Sequence, residues 1–263
     1  MSIALHMLGD QISQLWESAQ WNIWLPQNQP SPNWCPSGQG SAFVQSVYRS
    51  AAGHHASQCP SKVRVGGEGD GGKIVCPDRL NTARNRCLVY SLGSANSFGF
   101  EDEVVSRYGC EVHTFDCTLG EAPSRLPRNV YFHNYCIGRV NETRAMKSSR
   151  GGHPGIFVTL EDARRKLGHA SRTIDLLKMD IERYEFDVVA GMDPARAPTQ
   201  MVFEVHVHNG YGAWGRPVSR YEWQGLWKKL WQANYTTFSF EPNPKCTCCC
   251  EFSVVRAIEG SQA

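Results

Sequence analysis

Several things are scarce in this 263-residue chain. No run approaches the ~18–20 consecutive apolar residues of a membrane-spanning helix. The first ten residues hold no cationic segment, and His6 and Gly9 interrupt their apolar positions, so they do not read as a signal peptide. The expected compartment is cytoplasmic by default, or the secretory pathway if the N-terminus is incomplete. An excess of one charge is missing too. The 27 Lys and Arg face 25 Asp and Glu, a net charge of +2 without a basic stripe, which argues against nucleic acid as a partner. Cysteine, at 11 residues, lies below the ~8–10% of disulfide scaffolds, and its odd number leaves at least one thiol over. No partnering C-x-x-C pair faces the run Cys246-Thr247-Cys248-Cys249-Cys250, which excludes a zinc ribbon. Disulfides, including one joining Cys59 to Cys76, are the expectation in an oxidising compartment, and thiols in the cytosol.

What is present suits a single α/β domain with an extension. Hydrophobic residues make up 41% of the chain, enough for a core. Residues 1–58 differ from the rest: Leu5, Leu8, Ile12, Leu15 and Trp16 recur at helical spacing, then Pro26, Pro30, Pro32 and Pro36 mark a loop-like extension. Residues 59–263 alternate strands with helices. Val63-Arg64-Val65 and Lys73-Ile74-Val75 read as a Gly-rich hairpin. It is not a phosphate loop, because Ile74 stands where a magnesium-binding Ser or Thr belongs. Leu88-Val89-Tyr90-Ser91-Leu92 reads as a buried strand, followed by a helix over 98–108 that Gly109 ends. Further strands are expected at 111–115, 130–132, 174–179 and 201–205. Thr159 and Asp162 cap one helix, and Ser219 with Glu222 opens another, striped by Trp223, Leu226, Trp227, Leu230 and Trp231. Residues 235–240 and 251–255 close the chain as a pair with no helix between them, so they must run antiparallel. The whole predicts a Rossmann-like, doubly wound, seven-stranded α/β sheet.

Ligands of such sheets bind at the carboxyl ends of the strands where strand order switches. The first long strand ends in Ser91-Leu92-Gly93-Ser94-Ala95-Asn96-Ser97, and the next ends in Asp116, 23 positions after Gly93. A carboxylate ~20 residues beyond a Gly turn is placed to accept ribose hydroxyls. G-x-G-x-x-G is absent, because Ala95 holds the second glycine position. That disfavours a pyrophosphate, and with it a nucleotide-dependent oxidoreductase, and suits a nucleoside without phosphates such as S-adenosylmethionine.

The ordered set Val65-Gly66, Asp70-Gly71-Gly72-Lys73-Ile74-Val75-Cys76, Cys87 to Gly93, Phe100-Glu101, Cys110 to Asp116, Ile174 to Glu182 and Glu204-Val205-His206 resembles the methyltransferase-domain family that includes the methyltransferase-like twenty-four proteins, distantly FkbM-like. The resemblance covers roughly residues 59–256. It implies a class I, S-adenosylmethionine-dependent methyltransferase. Gly93, Ser94 and Asn96 would cradle the methionine part, Asp116 would hold the ribose, and Asp70, Gly71 and Gly72 would lie over the cofactor. One position departs: Asp180-Ile181-Glu182-Arg183-Tyr184-Glu185 has Arg183 where FkbM-type relatives have glycine. That keeps in view a binding protein that retained the fold and lost turnover.

Methyl transfer needs an aligned acceptor and, for a hydroxyl, a group that takes or polarises its proton. Asp180 and Glu182 follow the fourth strand, and Glu204, His206 and His208 alternate along the fifth. Asp180, Glu182 and His206 are therefore the catalytic candidates, with a His–carboxylate base as the expected device and a mixed N/O divalent-metal site as the alternative. His113, within a strand, reads as structural. The expected acceptor is an oxygen of a small molecule or a glycan.

Overall fold

The computed structural model describes residues 59–68, 71–83, 86–145, 152–206, 218–243 and 249–257. The expected N-terminal helix and extension, Asp70 and His208 lie outside the described residues. Among the described residues there are twelve strands: β1 (Val63–Val65), β2 (Lys73–Val75), β3 (Leu88–Leu92), β4 (Glu111–Phe115), β5 (Val130–His133), β6 (Cys136–Gly138), β7 (Glu142–Ala145), β8 (Pro154–Thr159), β9 (Leu176–Met179), β10 (Gln200–His206), β11 (Tyr235–Pro242) and β12 (Cys249–Arg256). Four α-helices accompany them: α1 (Gly99–Tyr108), α2 (Leu160–Lys166), α3 (Glu185–Gly191) and α4 (Arg220–Gln232).

The main sheet has seven strands in the order β11-β12-β10-β9-β3-β4-β5. β5, β4, β3, β9 and β10 run parallel, and β12 returns antiparallel between β10 and β11. This is the expected Rossmann-like sheet with its closing hairpin. From β3 the chain moves outward to β4 and β5, then comes back to lay β9 on the other side of β3. The switch in strand order therefore falls between β3 and β9.

Local chemistry fixes the elements. All five residues of β3 are buried, as a parallel strand covered on both faces requires. The α1 helix stops at Gly109 in the left-handed conformation, φ 66°, with its N–H returned to the Val105 carbonyl. Thr159 caps α2 by accepting the Asp162 N–H, and Ser219 with Glu222 forms a capping box on α4. One face of the sheet packs Val89, Val112, Val130, Leu176 and Val202 against Phe100 and Val104 of α1. Near the antiparallel strands, Trp223 and Trp227 of α4 meet Phe252 edge-on. Trp231 departs from the expected stripe, being 45% exposed, because the last turn of α4 passes the edge of that surface.

Two features were not expected. A small sheet, β6-β8-β7, and the short helix α3 fill the stretches that flank α2 and β9. Their strands are brief, and β7 keeps no buried residue, so they carry little hydrophobic period to read. Disulfides join Cys59 to Cys76, as expected, and also Cys87 to Cys110 and Cys117 to Cys136. The second ties the entries of β3 and β4, and the third ties the exit of β4 to β6. Cys249 is disulfide-bonded as well, and Cys250 is buried.

Candidate functional site

Gly93 leaves β3 at the switch point with φ +81°, and its N–H donates to the Phe115 carbonyl at 2.9 Å. A Cβ here would lie 1.9 Å from the Asp180 carbonyl oxygen, so only glycine lets the ends of β3 and β9 touch. Ala95 and Asn96 continue the turn at φ 47° and 66°, left-handed values that cost an L-residue energy and need support. Asp116 supplies it. Its Oδ2 accepts the Ser94 N–H at 3.0 Å, the Ser94 hydroxyl at 3.1 Å and the Ala95 N–H at 2.8 Å. Its Oδ1 accepts the Thr118 N–H at 2.9 Å and the Thr118 hydroxyl at 2.6 Å. Burial pushes this carboxyl up, but the hydrogen bonds from Thr118, Ala95 and Ser94 outweigh it and hold it below the usual carboxylate range.

Beside this loop lies a cluster of buried charge. Lys73, 1% exposed, reaches from the β1–β2 hairpin to Glu251 at 2.6 Å and to Asp180 at 3.3 Å. His206, at the end of β10, faces Glu185 at 3.6 Å, Glu182 at 3.7 Å and Glu204 at 4.0 Å. Those are ion-pair distances, too long for hydrogen bonds. Burial opposes charge on His206, yet Glu185, Glu182 and Asp180 together raise its pKa to about 10, so it is an imidazolium at neutral pH. Burial lifts Asp180 too, but Lys73, Lys178 and His206 overcome it and hold the carboxyl low. Glu251 goes the other way, pushed up to about 8 chiefly by burial, and Glu204 is raised by burial and by Asp180.

The fold therefore brings together Gly93, Ser94, Asn96 and Asp116 in one loop system, with Asp180, Glu182 and His206 alongside. Carboxylates surround the His206 ring, an arrangement that favours its charged form. Gly71 and Gly72 belong to the hairpin. A Cβ on Gly72 would sit 2.1 Å from the Gly67 carbonyl, so the turn itself requires that glycine. Arg183 does not abolish the tight turn that a glycine would make. It holds φ +89°, after Glu182 at +54°, and its guanidinium bonds Glu222 at 2.9 Å. Lys73, Glu251, Glu185 and Lys178 escaped the sequence reading. Lys178 had a visible signal, a cation inside the apolar strand Leu176-Leu177-Lys178-Met179; its amine donates to the Gly93 carbonyl.

The donor set fits a cationic nucleoside cofactor. Glu185 Oε2, Glu251 Oε2 and His206 Nδ1 are buried without a hydrogen-bond partner among the described residues. Burial first, and neighbouring carboxyls after it, raise Glu204 and Glu251, with Lys73 and His206 working against the shift. A sulfonium or ammonium group would answer the two carboxylate oxygens, whereas the His206 Nδ1–H calls for an acceptor.

Comparison with known proteins follows the same line. The sequence model of a family described as "Methyltransferase domain" matches residues 9–256. A probable methyltransferase-like protein 24 from Homo sapiens is 29% identical over 180 residues, 63% of this chain and 46% of that protein. Its Rattus norvegicus counterpart is 27% identical over 181 residues, 63% of this chain and 47% of that protein. The chain thus spans about half the length of the curated relatives it matches. Among solved structures, a Methanococcus jannaschii fibrillarin pre-rRNA processing protein superposes with a TM-score of 0.42 at 8% identity, over 70% of each chain.

Proposed function

Because the chain belongs to the methyltransferase-domain family, whose cofactor is S-adenosylmethionine, we propose that it is a methyltransferase acting on an oxygen of a small molecule or a glycan. The observation that carries the reading is the apposition of the Gly93 turn and Asp180 at the switch in strand order, beside a cluster of buried carboxyls.

When bound, the cofactor supplies an electrophilic methyl group on a sulfonium sulfur. Gly93, Ser94 and Asn96 would hold its methionine part, with Gly71 and Gly72 of the hairpin covering it. Asp70, assigned to the same cover, stands with them as part of the proposal. Asp116 would hold the ribose. Its oxygens already accept five donors. Two of these are the Ser94 and Thr118 hydroxyls, which can rotate away and leave room for ribose hydroxyls.

Asp180, held ionised, would accept a hydrogen bond from the acceptor hydroxyl and orient its oxygen for attack. Glu182, with a side chain 57% exposed, would pass the released proton to solvent. His206 would act as a fixed positive charge that, with Lys73 and Lys178, keeps Asp180 ionised. The bonded pair Cys87–Cys110, with Cys59–Cys76 and Cys117–Cys136, favours an oxidising compartment, the secretory pathway, over the cytoplasm.

Calorimetric titration of S-adenosylmethionine and of NAD into the wild type and Asp116→Ala tests the reading. Micromolar binding of S-adenosylmethionine, weakened tenfold or more by the substitution (about 1.4 kcal/mol), is the expected result. Absence of that binding in folded protein, or binding of NAD in its place, would overturn it.

A further inference from the structure

We propose that Glu111, His113 and His169 form a binding site for a divalent transition-metal ion of the zinc class, at the opposite end of β4 from Asp116. Glu111 and His113 are two apart in β4 and so project from the same face. His169 comes from the turn after α2, fixed by Gly168 at φ +74° and by its own N–H bonded to the Arg164 carbonyl at 2.8 Å. Glu111 Oε1 lies 2.8 Å from His113 Nε2 and 3.3 Å from His169 Nε2. One ligand atom from each of the three falls within 4.8 Å of the others. Tetrahedral ligands ~2.0–2.1 Å from a zinc ion stand roughly 3.3 Å apart. The two separations from Glu111 Oε1 therefore lie at or just inside the spacing of zinc ligands.

The surroundings are those of a metal site. A ligating imidazole uses one nitrogen on the metal and gives the other ring N–H to a partner that orients it. Here His113 Nδ1 faces His133 Nε2 at 2.8 Å, and His169 Nδ1 faces Tyr90 Oη at 2.8 Å. Arg172 bonds the second Glu111 oxygen at 2.7 Å and leaves the first for the ion. Access exists, since the side chains of Glu111 and Arg172 are 31% and 30% exposed.

Binding requires both Nε2 lone pairs. The proton that each Nε2 otherwise shares with Glu111 moves to Nδ1, where His133 or Tyr90 accepts it, and no imidazole proton has to leave the site. Two imidazoles with one carboxylate select a zinc-like ion over magnesium or calcium. Three protein ligands leave a fourth position for water. Two other groups of comparable spacing, Cys59 with Cys76 and Asp78, and Glu204 with His206 and Cys249, contain disulfide-bonded cysteines and offer no thiolate.

The test uses the oxidised full chain, stripped with a chelator and titrated with Zn(II) by calorimetry and with Co(II) by visible absorption. The wild type should bind a single ion per chain with micromolar affinity or better and give the d–d bands of a low-symmetry Co(II) site. His169→Gln and His113→Gln should each weaken binding at least tenfold, while His206→Gln leaves it unchanged. If either His variant fails to fold, X-ray absorption of the wild-type zinc form decides. Two imidazoles with oxygen ligands support the site, and sulfur ligands or oxygen alone refute it. No binding by the wild type, binding retained in folded His169→Gln, or binding lost in His206→Gln would each overturn the assignment. None of these readouts depends on methyl transfer.

Discussion

Replacing Gly93 by alanine separates two costs that usually come together. At φ +81° an L-residue is strained by roughly 1–2 kcal/mol. In addition the new Cβ would stand 1.9 Å from the Asp180 carbonyl oxygen, a backbone atom that cannot rotate away. Forcing such an overlap apart costs roughly 1–3 kcal/mol, so Gly93→Ala should lose about 2–5 kcal/mol in all. Gly168→Ala is the matched control. Its φ is +74° and nothing lies within 4 Å of the added carbon, so it should lose only the strain. Urea unfolding of both variants, compared at equal slope, measures the difference. The clash has a second consequence, because it must push the ends of β3 and β9 apart where the cofactor loop meets Asp180. Gly93→Ala should therefore weaken S-adenosylmethionine binding by tenfold or more, and Gly168→Ala should not. Equal destabilisation by the two substitutions would refute the claim that close contact, rather than backbone conformation, makes Gly93 obligatory.

Three further outcomes are expected. Lys73→Met leaves Asp180 and Glu251 without their buried cation and should cost about 3–5 kcal/mol; a loss under ~1 kcal/mol in denaturant would mean the pair is solvated. Stability should fall on both sides of roughly pH 6, near the unfolded histidine value. His206, raised to about 10, contributes fully below pH 6.5 and loses its contribution as pH climbs through about 10, and Glu251, raised to about 8, loses in the same direction. His133, lowered to about 4 by burial and by His113, contributes above 6.5 and loses as pH falls through about 4. His206→Gln should flatten the alkaline limb and His133→Gln the acid limb of thermal midpoint against pH; limbs unchanged by the variants would contradict both assignments. Opening Cys87–Cys110, whose sequence separation is 23, as the double serine variant should cost about 3 kcal/mol of unfolding free energy through loop entropy, and no change in the urea midpoint would rule that out.

The elements that declared themselves in the sequence are those whose signal is local. The α1 boundary was legible from Gly109, α2 from the Thr159–Asp162 cap and α4 from Ser219 with Glu222, because each end satisfies its own backbone groups within a few residues. The β1–β2 hairpin and β4 were legible from apolar runs bounded by glycine or aspartate. The charged cluster was only half legible. Asp180, Glu182 and His206 stood at strand ends and could be named, but Lys73 meets Asp180 across 107 positions and Glu251 across 178. No spacing rule reaches that far. His113 was read as structural because a lone histidine in a strand has no visible partner. His169, 56 positions later, comes beside it only through the fold, with ring centroids 4.7 Å apart.

What could not be read as spacing can be understood as charge. The sheet register sets Glu204 of β10 directly opposite Glu251 of β12, and Glu251 opposite Glu241 of β11, so three carboxylates form a row across adjacent strands. Like charges directly opposite destabilise a sheet, and buried ones do so strongly. The row persists because the β1–β2 hairpin brings cations to it, Lys73 to Glu251 and Arg64 to Glu241. The hairpin is thus held on the sheet by the charge the sheet cannot neutralise itself, and Gly72, fitted against the Gly67 carbonyl, shapes the turn that delivers Lys73. Since the same lysine contacts Asp180, the position of the hairpin and the ionisation of the candidate catalytic carboxylate are one electrostatic problem. Glu204 belongs to the same problem: burial and Asp180 raise its carboxyl, while His206 and Lys73 oppose them.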